Sequence, residues 1–405
     1  MLLMSRAGAL ELDALIFGGG GAGLWALDEL HRAGFRVMLA ECHALGQGQT
    51  VASQGIIHGG LKYTLKGLLT DSAKSIREMP GLWRRCLAGE CEPRLRGTRV
   101  LADACYLWRS ASLGGRIGLV GARTGLRSVV ELVAAEDRPD VLRSCPGEVF
   151  RVNEPVIDTV SLVRDLAERH GERLLRFDAA EGLDFETASS GVVDHVRLTD
   201  GQSGQHLQLR PRWIVLTAGE GNGRLGERLG LDPMVMQRRP LHMVMVRGAL
   251  PELFGHCVDG AKTRVTVTCA TDRAGRRVWQ VGGQVSEEGV QKSPGELIAH
   301  ARRELGRVLP AWEGSCHEWA TYRIDRAEGR TAGGLRPEGP RLLTEGTVIT
   351  AWPTKLALVP ELAAMIRREI GRPFGEGVCE RPVCWPRPSI AEPPWERQES
   401  WMRID

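Results

Sequence analysis

A glycine-rich turn followed by an acidic residue is the clearest chemical pattern in the sequence. Gly18, Gly20 and Gly23 are spaced as G-x-G-x-x-G, and Glu41 lies 18 residues after the last of them. The first glycine permits a tight turn, the second lets a pyrophosphate approach the backbone, and the third lets a helix pack on a sheet. The free N–H groups and the dipole at that helix N-terminus favour the negative charge of the pyrophosphate. Because Glu41 can accept hydrogen bonds from ribose hydroxyls and disfavours a 2′-phosphate, the pattern predicts a dinucleotide site that excludes NADP.

The segments on either side of this turn supply the βαβ unit that such a site requires. Residues 12–17 are a short apolar run typical of a buried strand. Residues 24–33 carry leucines at helical spacing, and Gly34 follows as a stop signal. Residues 35–40 form a second apolar run. The glycine pattern is therefore specific, because it lies in the strand–turn–helix–strand context that the motif needs.

Later regions contain both parallel and antiparallel patterns. A predicted amphipathic helix, further strands and a last helix resemble additional parallel units, at 158–170, 193–198, 206–209, 212–216, 346–351 and 356–370. Longer strands separated by frequent turns favour an antiparallel sheet, at 97–108, 234–246, 264–269 and 277–282. We therefore predict an α/β fold, in which a Rossmann-type domain with a parallel sheet is interrupted by an antiparallel-sheet (α+β) domain.

The predicted domains are discontinuous in the sequence. We assign 10–80, 150–232 and 323–375 to the nucleotide-binding domain, and 81–149 and 233–322 to a substrate-binding domain. The remaining 376–405 are rich in proline and tryptophan, and we predict that they form an extended C-terminal strap. The strap leaves peripheral membrane contact open, although its charges balance and it lacks amphipathic periodicity.

Composition excludes several classes of protein. The 405 residues are 42% hydrophobic and 25% charged, which is typical of a globular chain and not of a disordered one. A net charge of +3 argues against a nucleic-acid binder. We find no apolar run of the roughly 18 residues that a membrane-spanning helix needs, and no signal peptide, so we expect a cytoplasmic protein. None of the ten cysteines forms a CxxC pair, so we predict no metal site and reduced thiols, including the spaced pairs Cys86/Cys91 and Cys379/Cys384.

The segment after the first βαβ unit carries a family resemblance. Within residues 46–66, the stretch Ile57-His58-Gly59-Gly60-Leu61-Lys62-Tyr63 is similar to an I-H-G-G-L-R-Y motif that follows a Ser-rich turn. It resembles the FAD-dependent oxidoreductases of the D-amino-acid oxidase and glycerol-3-phosphate dehydrogenase superfamily, and locally the flavin-linked glycerol-3-phosphate dehydrogenases. The resemblance covers roughly residues 12–370. It implies that FAD is the cofactor and that the nucleotide-binding domain is an FAD-binding domain.

Three further segments match the same family in order. Thr217-Ala218-Gly219 matches a turn that returns to the FAD, and His242 matches a histidine that faces the flavin from the substrate domain. Residues 352–356 match a turn whose amides support the flavin and whose lysine, here Lys355, faces an anionic substrate. The resemblance thus implies a set of cofactor-binding residues: Gly18, Gly20, Gly23, Glu41, Ser53, Gln54, Gly55, His58, Gly59, Thr217, Ala218, Gly219, Thr354 and Leu356.

The family chemistry is transfer of a hydride from a substrate C–H to flavin N5, with loss of a proton from the substrate. His242 is the candidate base because histidine titrates near neutral pH, and the alternative is a core histidine bonded to the backbone. Lys62, Arg323 and Lys355 are candidate anchors for an anionic substrate, or else solvated surface charges. Lys62 stands where the dehydrogenases have an arginine, so it keeps the charge but loses the bidentate geometry. Lys355 lies at the start of a predicted helix, where the dipole disfavours a cation, so we expect that another need retains it.

Three other residues are candidates for a role beside the flavin or the substrate. Tyr63 either donates a hydrogen bond to the substrate or packs, and Cys316 is a weak match to a cysteine that tethers flavin covalently. His58 is expected to have a structural role near the isoalloxazine ring.

These residues favour an FAD-dependent dehydrogenase or oxidase of a small anionic hydroxy compound, such as a polyol phosphate or a 2-hydroxy acid. The alternatives are an amino-acid or amine oxidase on the same fold, and a flavin-binding redox protein without turnover. A plain NAD-dependent enzyme would leave residues 46–63 without a role. The electron acceptor is left open between oxygen, a quinone and a partner protein.

Overall fold

The structure is a computed structural model that describes residues 9–60, 71–109, 130–188, 192–259, 262–312, 317–374, 381–382 and 385–404. The α-helices within these residues are α1 (Gly21–Arg32), α2 (Gln49–Ala52), α3 (Asp71–Ala88), α4 (Asp140–Arg143), α5 (Thr159–Arg169), α6 (Gly221–Arg228), α7 (Gln284–Glu288), α8 (Pro294–Val308) and α9 (Val359–Ile370). Short 3₁₀ helices span Ala135–Asp137, Gly171–Arg173, Pro233–Val235, Ala332–Gly334 and Leu356–Leu358.

The strands form two large sheets and one small one. They are β1 (Leu10–Phe17), β2 (Val37–Glu41), β3 (Val100–Ala102), β4 (Cys105–Arg109), β5 (Val130–Val133), β6 (Val149–Val152), β7 (Val156–Ile157), β8 (Leu174–Arg176), β9 (Leu183–Thr187), β10 (Val193–Thr199), β11 (His206–Leu216), β12 (Met236–Gly248), β13 (Gly255–Asp259), β14 (Lys262–Thr271), β15 (Arg277–Gly282), β16 (Glu318–Gly329), β17 (Arg341–Glu345), β18 (Val348–Trp352) and β19 (Met402–Arg403). Strands β3 and β7 form the small sheet, and Ile56 bridges to Val156 of β7.

The described chain divides into two compact units. The first comprises Met1–Thr50, Leu162–Arg238 and Arg326–Ala391, and the second comprises Val51–Ser161, Arg239–Asp325 and Glu392–Asp405. Both units are discontinuous, as the predicted domains are. The second unit takes in residues 51–80, which the prediction placed in the nucleotide-binding domain, and the tail is shared between the units.

The first unit is built on a parallel sheet with the order β18-β11-β1-β2-β8, in which all neighbours are parallel. The last six residues of β1 are buried, because a central parallel strand is covered on both faces. Phe17 is in register with both Ala40 and Leu216, so three strands end at one edge. Antiparallel strands extend this sheet, with β17 on β18 and the pair β9–β10 on β11.

The second unit contains the antiparallel-type sheet, with the order β19-β16-β12-β15-β14-β13-β4-β6-β5. Only β4 and β13 form a parallel pair among the strand pairs whose register is described. Helix α8 begins at a capping box, in which Ser293 and Glu296 satisfy each other's backbone N–H groups. Its apolar face, including Leu297, Ala301 and Leu305, joins a core cluster with the sheet residue Trp279.

The predicted α/β fold with parallel and antiparallel sheets is confirmed, with local corrections. The runs 206–209 and 212–216 are one strand, β11, and 97–108 contains two short strands. The predicted helix at 356–370 begins as a 3₁₀ turn, and α9 starts only at Val359. In the tail, the Trp385 side chain is buried in the core of the first unit rather than lying on the surface. No helix within the described ranges combines the length and the apolar character needed to cross a membrane.

Candidate functional site

The glycine-rich turn leaves β1 at the edge where the parallel strands end. Gly18 has φ +104°, and a Cβ there would lie 2.4 Å from Ala218 Cα, so only glycine fits. A Cβ on Gly23 would lie 2.0 Å from the Gly18 carbonyl oxygen. These two glycines are therefore required by the fold itself, since they let α1 pack directly against the turn.

Gly20 differs from these two glycines. Its φ is −75°, an ordinary value, and the nearest atom to a Cβ would be Thr50 Oγ1 at 3.2 Å. No side chain caps α1 through a hydrogen bond at this N-cap position, although the Gly21 N–H donates to Thr50 Oγ1 at 3.0 Å. The chain's own packing thus does not demand glycine at residue 20. An approaching pyrophosphate would demand it, so this observation fits a dinucleotide at the N-terminus of α1.

Glu41 lies beside the same turn, at the end of β2. Its Oε2 accepts the Gly19 N–H at 2.7 Å, and its Oε1 accepts the His43 N–H at 2.8 Å. Both carboxylate oxygens retain further lone pairs, because a carboxylate accepts about four hydrogen bonds. The carboxylate is therefore fixed at the turn with capacity for ribose hydroxyls.

The turn Thr217-Ala218-Gly219 follows β11 and contacts the glycine-rich turn. The Thr217 hydroxyl is placed 3.0 Å from the Phe17 carbonyl and 3.2 Å from the Gly18 carbonyl. The Ala218 N–H donates to Asn222 Oδ1 at 2.7 Å, and the Asn222 amide nitrogen lies 3.3 Å from the Ala351 carbonyl oxygen. The buried Asn222 thus joins the turn to the end of β18, and the sequence analysis did not identify it.

The third predicted segment, at 352–356, also lies in the first unit. Thr354 has φ +62°, an unusual value for a residue with a side chain, and its hydroxyl donates to the Gly339 carbonyl at 2.7 Å. A Leu356 methyl lies 3.5 Å from where a Gly21 Cβ would be, so this segment reaches the start of α1. Lys355 is the N-cap residue of the 3₁₀ turn Leu356–Leu358, which continues directly into α9, so it lies at a helix start as predicted. Its role towards a substrate stays a prediction.

The predicted residues of the second unit are held by its own sheet and turns. The Gln54 amide nitrogen donates to the Gln280 carbonyl at 3.0 Å and lies 3.3 Å from that of Thr266. A Cβ on Gly55 would lie 2.1 Å from the Ile157 carbonyl oxygen. The Gln54 side chain therefore binds the sheet of this unit. Gly55 lacks a side chain because the Ile157 carbonyl leaves no room for one. Their binding to the cofactor, like that of Ser53, stays a prediction.

A buried carboxylate organises His58 and Gly59. Glu154 Oε1 accepts the Gly59 N–H at 2.7 Å, and Oε2 lies 3.1 Å from His58 Nδ1. His256 approaches the same oxygen, with its Nε2 3.8 Å from Glu154 Oε2 and its ring 5.6 Å from that of His58. Thr266 Oγ1 lies 2.9 Å from His256 Nδ1.

This cluster has two chemical capacities. Burial alone would raise the pKa of Glu154, but the two histidines hold it well below its ordinary value. An ionised carboxylate between two imidazoles can hold and orient protons. The donor atoms of the three side chains lie within 4.8 Å of one another, so the set is also of a type that binds metal ions. The sequence analysis did not identify Glu154 or His256, because neither lies in a recognisable motif.

His242 is buried, and its imidazole is bound by the backbone of a turn. Its Nδ1 lies 3.1 Å from the Gly289 carbonyl oxygen, and the ring is also hydrogen-bonded to the Lys292 backbone. Burial lowers the pKa of His242, and the positive charge of Arg323 lowers it further. The hydrogen bonds to the backbone at Gly289 and Lys292 oppose this decrease. The exposed Arg323 donates to the Val290 carbonyl at 2.7 Å and to that of Lys292 at 3.1 Å. These contacts fit the alternative interpretation, a core histidine bonded to the backbone.

The structure therefore assembles the predicted residues in two groups. The first unit brings together Gly18, Gly20, Gly23, Glu41, Thr217, Ala218, Gly219, Thr354 and Leu356. The second unit holds His58 with Gly59, and His242 with Arg323. Lys62, Tyr63 and Cys316 lie outside the described residues.

A cavity of about 540 Å³ opens beside Gly59 in the second unit. Its wall includes Arg77, Glu78, Pro80 and Asn153, so both charged and apolar groups face it. Its size falls within the range of small-molecule pockets.

Comparisons with known proteins agree with this arrangement. Residues 13–351 match the family model described as FAD dependent oxidoreductase (DAO). A probable FAD-dependent oxidoreductase of Pseudomonas aeruginosa is 42% identical over 397 residues, which cover 96% of this chain and 98% of that protein. The crystal structure of an FAD-dependent oxidoreductase from the same organism has a TM-score of 0.81 and 38% identity over 96% of this chain and 99% of that one.

More distant relatives carry the names of different enzymes. Glycerol-3-phosphate dehydrogenase 1 of Mycobacterium tuberculosis is 29% identical over 249 residues, which cover 57% of this chain and 46% of that enzyme. The structure of glycine oxidase from Geobacillus kaustophilus shares the fold, with a TM-score of 0.63 and 18% identity over 91% of this chain and 96% of that one. The structure of L-α-glycerophosphate oxidase from Mycoplasma pneumoniae with FAD bound also shares it, with a TM-score of 0.61 and 14% identity over 95% of this chain and 99% of that one. The family match over most of the chain is decisive: this protein belongs to the FAD-dependent oxidoreductases of the DAO family, and FAD is its cofactor.

Proposed function

We propose that the protein is an FAD-dependent dehydrogenase or oxidase of a small anionic hydroxy compound, such as a polyol phosphate or a 2-hydroxy acid. The observation that carries the substrate class is the likeness of residues 57–63 to the glycerol-3-phosphate dehydrogenases, together with the 249-residue similarity to one of them. FAD, when bound, supplies the acceptor for the hydride that leaves the substrate carbon.

The first unit offers the residues that would hold the adenine dinucleotide part of FAD. The missing side chain at Gly20 and the start of α1 suit the pyrophosphate, and the Glu41 carboxylate suits the ribose hydroxyls. Thr217 and Asn222 hold the neighbouring turn in place. We propose that Ser53, Gln54, Gly55, His58 and Gly59, with the backbone at Thr354 and Leu356, contact the flavin end.

A base must take the proton that the substrate hydroxyl loses. The predicted base was His242, but it is buried and held by backbone carbonyls. His58 is better placed chemically, since 38% of its side chain is exposed and its Nδ1 faces the ionised carboxylate of Glu154. A carboxylate on one ring nitrogen orients the imidazole and stabilises the cation that forms when the other nitrogen takes a proton. We therefore propose His58 as the base, with Glu154 orienting it and His242 as the alternative.

Positive charge near the reacting centre would select an anionic substrate. Lys62, Lys355 and Arg323 remain the proposed anchors, with Tyr63 as a hydrogen-bond donor. Arg323 has two of its guanidinium nitrogens engaged by backbone carbonyls, which reduces its capacity to bind a substrate.

The test is anaerobic reduction of the purified flavoprotein, followed by its visible flavin absorbance. Glycerol 3-phosphate, a 2-hydroxy acid and glycine are added separately. We expect bleaching by one of the first two. Bleaching by glycine alone would instead support the amino-acid oxidase alternative, and a flavoprotein that no substrate of either class bleaches would support the non-catalytic alternative. Admission of oxygen or a soluble quinone to the reduced protein then identifies the acceptor by the return of the absorbance.

Matched variants separate the two candidate bases. We expect His58→Gln to lower the rate of flavin reduction by about 100-fold or more, the usual size of general-base catalysis. His242→Gln is the matched comparison, and a larger loss there than in the His58 variant would reverse the assignment.

A further inference from the structure

Two cysteines that the proposed function does not use lie side by side at the end of α3. Cys86 is in the last turn of the helix and is fully buried, whereas Cys91 follows the helix and is partly exposed. Their sulfur atoms are 3.3 Å apart. A disulfide bond is about 2.05 Å long, so the two sulfurs need to approach by little more than 1 Å to bond.

The backbone between the two cysteines holds them in this position. Gly89 has φ +73°, so the chain reverses at a position whose backbone conformation favours glycine. The Glu90 N–H donates to the Arg85 carbonyl at 2.8 Å, and the Leu95 N–H donates to the Cys86 carbonyl at 2.8 Å. The proximity of the sulfurs is therefore a property of an ordered, hydrogen-bonded turn.

Two further contacts of these thiols compete weakly with bond formation. Cys86 Sγ lies 3.7 Å from the Glu92 carbonyl oxygen, and Cys91 Sγ lies 4.0 Å from that of Leu82. Thiols are weak donors, so neither contact would oppose a small movement of the sulfurs.

The remaining described thiols are poor competitors for an oxidant. Burial raises the pKa of the thiols of Cys42 and Cys145 to about 11 and that of Cys269 to about 12. Because the thiolate is the reactive form, these cysteines carry little of it at neutral pH.

We propose that Cys86 and Cys91 are a dithiol that closes reversibly to an intramolecular disulfide when the protein meets a disulfide oxidant such as oxidised glutathione. The partly exposed Cys91 thiolate attacks one sulfur of oxidised glutathione and releases one glutathione thiolate. The Cys86 thiolate then attacks the Cys91 sulfur of the mixed disulfide and releases the second. The protein loses two electrons and two protons, and oxidised glutathione gains them as two glutathione thiols.

A peptide map of the holoprotein tests this proposal directly. Trypsin cleaves after Arg85 and Arg94, so both cysteines fall in the single peptide 86–94. The protein is incubated with oxidised glutathione and then denatured in the presence of iodoacetamide, which alkylates free thiols. It is digested without reductant. We expect the peptide to be unalkylated and lighter by two hydrogen atoms than its dithiol form, and to take two alkyl groups after dithiothreitol treatment.

The contrary outcomes are equally clear. A peptide that carries two alkyl groups after the oxidant, or glutathione on either cysteine, would overturn the proposal. Cys91→Ser should abolish the unalkylated form, leaving Cys86 alkylated, whereas Cys42→Ser should leave the wild-type result unchanged. If the Cys91 variant does not fold, the wild-type map decides alone.

Discussion

Glu154 binds the imidazole of His58 through one carboxylate oxygen and the next backbone N–H through the other. The two distances are 3.1 Å to His58 Nδ1 and 2.7 Å to the Gly59 nitrogen, and Glu154 is 4% exposed. One buried carboxylate therefore sets both the ring orientation and the path of the turn that carries it. A charge taken out of water at this position is tolerated because it has several polar partners.

Glu154→Gln should lower the free energy of unfolding. Glutamine keeps the shape of the side chain but removes its charge, so we expect the free energy of unfolding to fall by about 2 kcal/mol at pH 7. The pKa of Glu154 is depressed by folding, so its contribution is complete above its ordinary value of 4.5 and falls as the pH drops below that value. Urea unfolding should show the difference between wild type and variant shrinking below about pH 4.5.

The matched control for this change is Glu131→Gln at an exposed position of β5. We expect it to lower the free energy of unfolding by less than about 0.5 kcal/mol at any pH. A Glu154 variant as stable as the control at pH 7 would show that the carboxylate does not organise the turn.

Two glycine-to-alanine changes in one turn should have opposite consequences for folding. In Gly23→Ala the new methyl would lie 2.0 Å from the Gly18 carbonyl oxygen, so backbone must move and we expect a loss of more than about 3 kcal/mol. In Gly20→Ala the methyl meets only the Thr50 hydroxyl at 3.2 Å. The protein should therefore fold but bind FAD at least about 10-fold more weakly, as flavin fluorescence titration of the apoprotein would measure. Undiminished FAD affinity in the Gly20 variant would place the pyrophosphate elsewhere.

Asp28 in α1 predicts an acid-sensitive contribution to the stability of the first unit. It is fully buried, with His170 Nε2 at 2.9 Å and Arg32 Nε at 2.6 Å. Burial alone would raise the pKa of Asp28, but the hydrogen bonds from His170 and Arg32 lower it from 3.8 to about 2. A shift of this size corresponds to about 2 kcal/mol. This stability is complete above about pH 5 and is lost as the pH falls through 3.8 toward 2.

Asp28→Asn should therefore cost about 2 kcal/mol at pH 7 and progressively less below pH 5. Thermal unfolding between pH 7 and pH 3 measures the difference, with the exposed Asp137→Asn as the control. If the stability difference between wild type and the Asp28 variant grew as the pH fell, the direction of the pKa shift would be contradicted.

The parts of the site that the sequence predicted are those defined by local pattern. Residues 12–17 and 35–40 are apolar runs joined by a glycine-rich helix start, so their pairing could be predicted from this segment alone. Thr217 was identified through the family resemblance, and it directly follows Leu216, which is in register with Phe17 at the edge where the parallel strands end. In these segments the local preference and the final fold agree.

The residues that the sequence did not reveal act over long separations. Glu154 lies 96 residues from His58, and Asn222 lies 129 residues from the carbonyl it meets in β18. A single polar residue has no periodicity, so its partner is known only once the sheets are assembled. His242 shows the converse, because the sequence placed it on a strand but could not reveal that backbone carbonyls at 289 and 292 surround its ring.

Asn222 provides a last test, because its side chain links the predicted cofactor turn 217–219 to the strand that precedes the segment 352–356. Asn222→Ala would leave the Ala218 N–H and the Ala351 carbonyl without this partner at a buried position, so we expect a loss of about 2 kcal/mol. Asn222→Asp keeps the acceptor for Ala218 but turns a carboxylate oxygen toward the Ala351 carbonyl. Repulsion and burial favour the protonated acid, so this variant should gain stability relative to wild type as the pH falls from 7 to 5. Urea unfolding at both pH values measures this change, with the exposed Gln202→Ala as control. An aspartate variant whose deficit is the same at both pH values would show that the bond to Ala351 does not contribute.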